Sequence, residues 1–272
     1  MHTFLNDNNF QTIQTNPTDK FKKLLAKTLE QCNPTVNKNQ IKYLLQKKPL
    51  PPTLKAQIKI QKSGNLIRPV INNMNAPAYK VSKYLVNKLN IYLNLNHQFT
   101  MKNSINLAED LTKLKVNGNY RMLTYDIKDL CINILTKEIL RITKSLLLKH
   151  NDASTTKQLI MLLDVILQQY YFSFKNHTYQ PETGVSMGSP ISSTIAETFL
   201  QHMENTLMKQ LFDTKNIAFY TRYVDDILLT YNSQRITPKT IHNYINEVLP
   251  NLQLNPTYKN NDSINFMDLL II

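Results

Sequence analysis

Near the C-terminus, the run Tyr223-Val224-Asp225-Asp226-Ile227 sets two adjacent carboxylates between two stretches of strand character. Thr221 to Val224 is one stretch and Ile227 to Tyr231 the other, both rich in β-branched, aromatic and aliphatic side chains. The pattern predicts a β-hairpin with the acidic pair at its tip. Neighbouring like charges repel, so a fold keeps them together chiefly where a cation holds them. Asp is also a common turn residue, and a solvated turn accounts for the pair taken alone.

The stretch Tyr120 to Asp126 reads as a further strand that ends on a carboxylate. Asp126 by itself is equally a strand-end residue opening a turn. An α+β sheet, however, can set this strand beside the hairpin and so bring Asp126 to Asp225 and Asp226. Three carboxylates around two divalent ions form an arrangement suited to in-line phosphoryl transfer. One ion lowers the pKa of an attacking hydroxyl, and the other neutralises a leaving pyrophosphate.

Other segments fill in the α+β pattern. A helix is expected after Asn16-Pro17-Thr18, with Phe21, Leu24, Leu25 and Leu29 on one face. Lys47 to Pro52, with three prolines, breaks the pattern and reads as a linker. A basic hairpin around Gly64 pairs Ala56–Lys62 with Leu66–Ile71 and carries Lys55, Lys59, Lys62 and Arg68. Helices are expected over Tyr79–Leu93, Ser104–Leu114, Thr136–Leu148 and Thr155–Gln169, and a hairpin over Tyr171–Tyr179 turning at Lys175-Asn176. A long helix from Pro190 to Leu211, one from Thr240 to Leu249 and a strand from Ile264 to Ile272 complete the reading.

Composition narrows the chemistry. The 272 residues are 42% hydrophobic, enough for a buried core, and carry a net charge of +13 spread along the chain. That excess suits a polyanionic partner, and nucleic acid fits better than a membrane because no apolar run approaches the ~20 residues of a span. No signal peptide opens the chain, so an intracellular, non-secreted protein is expected. Two cysteines, Cys32 and Cys131, and six scattered histidines exclude a disulfide framework and a cysteine- or histidine-built zinc site. A catalytic metal would therefore take carboxylate ligands, which favours Mg²⁺ or Mn²⁺.

Only four glycines occur, and two of them, Gly184 and Gly188, share the loop Gly184-Val185-Ser186-Met187-Gly188-Ser189-Pro190 at the mouth of a helix. Such a loop lets backbone approach a flat ligand, or it simply meets turn geometry at a helix entry. Arg68 has the fork to clamp a triphosphate, with Lys59 or Lys62 adding charge; a solvated basic hairpin is the plainer alternative.

In chain order, Arg68-Pro69-Val70, Leu123-Thr124-Tyr125-Asp126, the Gly184–Pro190 loop, Tyr223-Val224-Asp225-Asp226 and Ile264-Asn265-Phe266-Met267-Asp268-Leu269 resemble the ordered motifs of a retroelement reverse transcriptase. Their style, in Gly-Val-Ser-Met-Gly-Ser-Pro, Arg222-Tyr223-Val224-Asp225-Asp226 and the Phe-Met-Asp-Leu ending, is similar to Penelope-like elements of animals. The resemblance spans about Asn16 to Ile272. It implies a right-hand polymerase with fingers and an antiparallel palm sheet bearing helices on one face. Residues 1–50 would be a helical extension, 51–119 fingers, and 120–272 palm with finger segments inserted at roughly 140–180.

By the same resemblance Asp126 and Asp225 bind two Mg²⁺ (or Mn²⁺) ions and Asp226 supports them. Arg68 holds the incoming deoxynucleoside triphosphate, with Lys59 or Lys62 nearby, and the backbone of Ile127, Lys128, Asp129 and Leu130 lines it. Gly184, Met187, Gly188, Ser189 and Pro190 contact the nascent base pair and template, and Tyr223 lies by the primer end. The implied partners are an RNA template, a DNA primer and other parts of a longer element polyprotein.

The chain departs from the family in places. Five residues after Asp126 relatives place Tyr or Phe, a ring that excludes a 2′-hydroxyl; here the residue is Cys131. Leu135 stands where Pro is common, and Gln61 where His is common. The sequence stops at Ile272, so the thumb of relatives is expected to be absent, and with it processivity. A truncated, inactive relic that still binds nucleic acid is the alternative function, and an RNA-templated RNA polymerase is a third, allowed by Cys131.

Overall fold

The apolar stripe after Asn16-Pro17 does wind into a helix, and most later segments keep close to their expected bounds. The computed structural model describes residues 10–33, 35–58, 67–95, 98–180, 188–206, 208–214, 216–258 and 263–272. In chain order these hold β1 (Gln11–Ile13), α1 (Thr18–Gln31), α2 (Lys38–Leu44), β2 (Thr53–Ile58), β3 (Ile67–Asn72), α3 (Tyr79–Tyr92) and α4 (Ser104–Lys113). Next come β4 (Tyr120–Lys128), α5 (Leu130–Asn133), α6 (Thr136–Leu147), α7 (Ala153–Leu167), β5 (Phe172–Phe174) and β6 (His177–Gln180). The last are α8 (Ser192–Thr206), α9 (Lys209–Asp213), β7 (Ile217–Tyr223), β8 (Asp226–Asn232), α10 (Pro238–Val248), β9 (Gln253–Tyr258), β10 (Ile264–Phe266) and β11 (Leu269–Ile271). The fold is mixed α+β, and the chain divides into two compact units: Met1–Asn94 with Cys131–Thr198, and Leu95–Leu130 with Phe199–Ile272. Among the described residues no helix is long and apolar enough to cross a membrane.

The first unit carries a sheet of strand order β1-β6-β5-β2-β3. The basic hairpin is its β2–β3 arm, in register from Thr53↔Asn72 to Ile58↔Ile67, with its tip outside the described residues. Its helical side is organised on α7, whose Leu159, Leu162, Leu163, Val165, Ile166 and Leu167 are all buried. Each such side chain contributes roughly 1.5–3 kcal/mol on leaving water. Helices α1, α3 and α6 pack on α7. On α1 the buried stripe is Phe21, Leu25, Thr28 and Leu29, whereas Leu24, expected in it, is 40% exposed. At about 100° per residue Leu24 falls at the stripe's edge.

The second unit carries the four-stranded antiparallel sheet β7-β8-β4-β9. Strand β9 was not foreseen: Pro256 and its Asn neighbours weaken the strand signal, and Pro is tolerated here because β9 is an edge. Residues alternate between faces, so Met122, Thr124 and Asp126 share one side with Asp226, Leu228 and Thr230. Leu107 and Leu111 of α4 pack with Met122, Leu228 and the β10–β11 hairpin, while His242 of α10 stacks on Tyr125, a residue of the opposite face. Helices therefore cover both faces, not one, because both faces of this sheet are apolar away from the carboxylates. Two further expectations change. The single strand Ile264–Ile272 is a hairpin that turns at Met267, φ 53°, and the helix Pro190–Leu211 is two helices, Ser192–Thr206 and Lys209–Asp213.

Candidate active site

Strand β4 runs against β8 from Tyr120↔Asn232 to Asp126↔Asp226, so the register ends on two opposed carboxylates. Directly opposed residues hold their Cβ atoms about 4.5–5.5 Å apart, and like charges so placed destabilise the pair unless a cation intervenes. Asp225 joins them through the backbone: its carbonyl accepts the Ile127 N–H at 2.9 Å. Asp126 is exposed, and Asp225 and Asp226 are half-buried. The expected tip is thus the two-residue loop Val224-Asp225, with Asp226 the first residue of β8. Tyr223, opposite Asp226, is exposed beside it.

Val224 holds φ at 55°, a left-handed conformation that costs a residue with Cβ roughly 1–2 kcal/mol. The strain is met by Arg222. Its guanidinium, fully buried, donates from Nη1 to the Val224 carbonyl at 3.0 Å. The same group donates from Nε to Glu204 Oε1 at 2.6 Å and from Nη2 to Glu204 Oε2 at 3.2 Å. Glu204, on α8, is itself only 3% exposed and also accepts the Tyr220 hydroxyl at 3.1 Å. Burial first, then the Glu204 charge, push the Tyr220 phenol well above its usual value. Burial likewise raises Tyr125, beneath Asp126, whose hydroxyl finds no partner among the described residues. Glu204 has no place in the motif reading, and Arg222 appears there without a role. The available signal was a charged residue inside an otherwise apolar strand, answered by an acid beside Leu200 and Met203 in a helix rich in apolar residues.

Ile127, Lys128, Asp129 and Leu130 follow directly from Asp126; Ile127 and Leu130 are buried, and Asp129 has φ 51°. The Ile127 N–H is engaged by Asp225, so it does not stand ready for a phosphate. Cys131, half-buried, belongs to the other unit, as do Arg68, Gly188, Ser189 and Pro190. The Arg68 backbone pairs with Gln57, while its side chain, Lys59, Lys62, Gly184 and Met187 lie outside what is described.

Within the first unit Gly188 holds φ at 95°, and a Cβ there would sit 2.2 Å from the Ile71 carbonyl oxygen. The same carbonyl accepts Asn73 Nδ2 at 3.1 Å, and Gln169 Nε2 donates to Asn73 Oδ1 at 3.2 Å. Neither Asn73 nor Gln169 was expected to matter; both are buried amides that fix the loop beneath Gly188.

A family model described as reverse transcriptase (RNA-dependent DNA polymerase) matches residues 60–256. The chain belongs to the reverse transcriptase family. A comparison with curated proteins finds no match. Among solved structures, this reverse transcriptase chain is similar to apo telomerase from Candida tropicalis, with TM-score 0.63 at 14% identity over 81% of this chain and 46% of that one. It is also similar to telomerase from Candida albicans in complex with a fragment of telomeric RNA (TM-score 0.58, 16% identity, 83% and 46% covered). The RNA-dependent RNA polymerase of BmCPV at its elongation state follows at TM-score 0.52, 12% identity, 92% and 23% covered. These likenesses are of fold, and the reverse transcriptase chain spans about half the length of the telomerase chains it matches, from 42% to 54%.

Family members use two Mg²⁺ ions, and the donor chemistry of Asp126, Asp225 and Asp226 fits such hard cations. Among the described residues, no three His, Cys, Asp or Glu side chains are gathered tightly enough to hold an ion unaided.

Proposed function

We propose that the chain is the RNA-directed DNA polymerase domain of a Penelope-like retrotransposon, extending a DNA primer on an RNA template with deoxynucleoside triphosphates. The observation that carries this reading is the opposed pair Asp126↔Asp226 with Asp225 in the adjoining turn. Asp126 and Asp225 hold two Mg²⁺ or Mn²⁺ ions, with Asp226 in support; when bound, the ions activate the primer hydroxyl and neutralise the departing pyrophosphate. Tyr223 lies by the primer end, Arg68 with Lys59 or Lys62 clamps the triphosphate, and Gly188, Ser189 and Pro190 face the base pair. The excess positive charge draws in the nucleic acid, and its binding weakens with salt as counterions are released. The remainder of the element polyprotein supplies further parts.

Primer extension on an RNA template tests the reading. The wild-type chain extends the primer, and Asp225→Asn loses at least about a thousandfold in rate while nucleic-acid binding changes little. Equal extension by both would sink it. Cys131 favours a second reading, a nucleic-acid binder without turnover, which predicts salt-sensitive binding and no incorporation with either metal. If ribonucleotides are incorporated, Cys131→Tyr suppresses that incorporation selectively.

A further inference from the structure

We infer that Arg222 and Glu204 act as a positioning pair that fixes the Val224–Asp225 peptide and thereby sets how strongly the acidic turn binds a divalent cation. The inference rests on the reading of Asp126, Asp225 and Asp226 as cation ligands. It adds a device those residues lack by themselves. A two-residue hairpin turn favours positive φ at its first loop position, but Val224, β-branched and at φ 55°, is a costly residue to hold there and gains from an outside anchor. The carbonyl of Val224 belongs to the peptide plane that leads into Asp225, so anchoring that oxygen orients the Asp225 carboxylate. Arg222 Nη1 supplies the anchor at 3.0 Å.

The anchor is itself held from two sides. The Arg222 backbone donates to Phe99 O at 2.8 Å and accepts from Met101 N at 2.7 Å, which ties this end of β7 to the 99–101 segment. Its side chain is held by the Glu204 carboxylate through two nitrogens. Lys cannot replace this fork, because a single ammonium does not span Glu204 and the turn carbonyl in fixed planar geometry.

Charge separates positioning from simple electrostatics. The Glu204 carboxylate balances the Arg222 guanidinium, so the turn gains a donor without a net cation behind its acidic groups. Arg222→Gln removes the positive charge and leaves Glu204 as an extra buried anion. Electrostatics alone would then tighten cation binding. Loss of positioning would weaken it instead, by about tenfold to a hundredfold, the usual effect of removing a group that orients a ligand.

The test uses the full chain and Mn²⁺ as probe, followed by electron paramagnetic resonance titration, in wild type, Asp225→Asn, Arg222→Gln, Arg222→Lys and Tyr220→Phe. The Tyr220 variant removes one hydrogen bond to Glu204 and guards against failure of the charged variants to fold. Weaker Mn²⁺ binding in Arg222→Gln and Arg222→Lys, a smaller loss in Tyr220→Phe, and recovery on adding Val224→Gly, which adopts positive φ without strain, support the inference. Tighter binding in Arg222→Gln overturns it.

Amide hydrogen exchange of Ile127, whose N–H is bonded to Asp225, provides a second readout that needs no metal. It accelerates about tenfold or more in the Arg222 variants while the centre of β4 is unchanged. Unaltered Ile127 exchange in a folded variant, Tyr220→Phe included, overturns the inference. If wild type and Asp225→Asn bind Mn²⁺ equally, the cation reading falls, and the exchange measurement still decides whether the pair holds the turn.

Discussion

Gly188 occupies a place where no side chain fits. Its φ of 95° disfavours any residue with Cβ, and the Ile71 carbonyl oxygen lies 2.2 Å from where that atom would go. The neighbour is backbone, held by Asn73 and through it by Gln169, so it has little freedom to retreat. Gly188→Ala is therefore expected to destabilise the chain by about 2 kcal/mol or more, from strain and overpacking together. Gly118→Ala, where nothing lies within 4 Å, should stay within about 0.5 kcal/mol. Urea unfolding of the two variants beside wild type checks both, and equal effects would contradict the role given to the Ile71 contact. The backbone requirement at Gly188 was legible from the sequence, because the chain has only four glycines and two fall in one short loop. What Gly188 abuts was not legible, since Ile71 is remote in sequence and contributes only its carbonyl.

At the scale of elements, the link from helix to site runs through α10. Thr237 caps its N-terminus, accepting the Thr240 N–H at 3.1 Å, and Pro238 fills the first turn, where no N–H is needed. Ile241 and Ile245 are buried, and His242 stacks on Tyr125 with ring centroids 5.9 Å apart. Thr237→Ala should cost about 1 kcal/mol, a fall in melting temperature of roughly 2–4 °C, and Thr237→Ser should restore most of it. A melting temperature unchanged in Thr237→Ala would remove the cap's role.

The same scale shows why some elements could be read and others not. The hairpin around Asp225 was legible because β-branched and aromatic residues flank a short polar interruption. Strand β9 was hidden by Pro256, and the turn inside Ile264–Ile272 by Met267, which takes a positive φ that usually signals Gly or Asn. Carboxylates at the ends of predicted strands were readable, but the Arg222–Glu204 pair joins a strand to a helix through tertiary packing that no local pattern encodes.

Across the whole molecule, buried phenols and a buried thiol make stability depend on alkaline pH. Burial raises Cys32 from 9.0 to about 11 and Tyr171 from 10.0 to about 12, and it raises Tyr125 and Tyr220 as well. The folded chain thus retains protons that the unfolded chain has released in this window. The stability these groups contribute is full below pH 9 and is lost as pH rises through the folded values. Urea midpoints should be level from pH 7 to 9 and fall from pH 9 to 11, with Cys32→Ala shallower over that interval. A flat profile to pH 11 would contradict the burial of these groups.

Each unit is assembled from two separated stretches of chain, Met1–Asn94 with Cys131–Thr198 and Leu95–Leu130 with Phe199–Ile272. On the ribosome this order has a cost in time. The outer strand β1 must wait for Gln180 to emerge before it has a partner. Strand β4, with Asp126 at its end, is synthesised well before either neighbour, β8 or β9. Until both arrive, its apolar faces and both hydrogen-bonding edges stand open in the nascent chain, a template for mispairing. The strand that carries Asp126 is thus open to mispairing during synthesis until β8 and β9, made later in the chain, come to shield it.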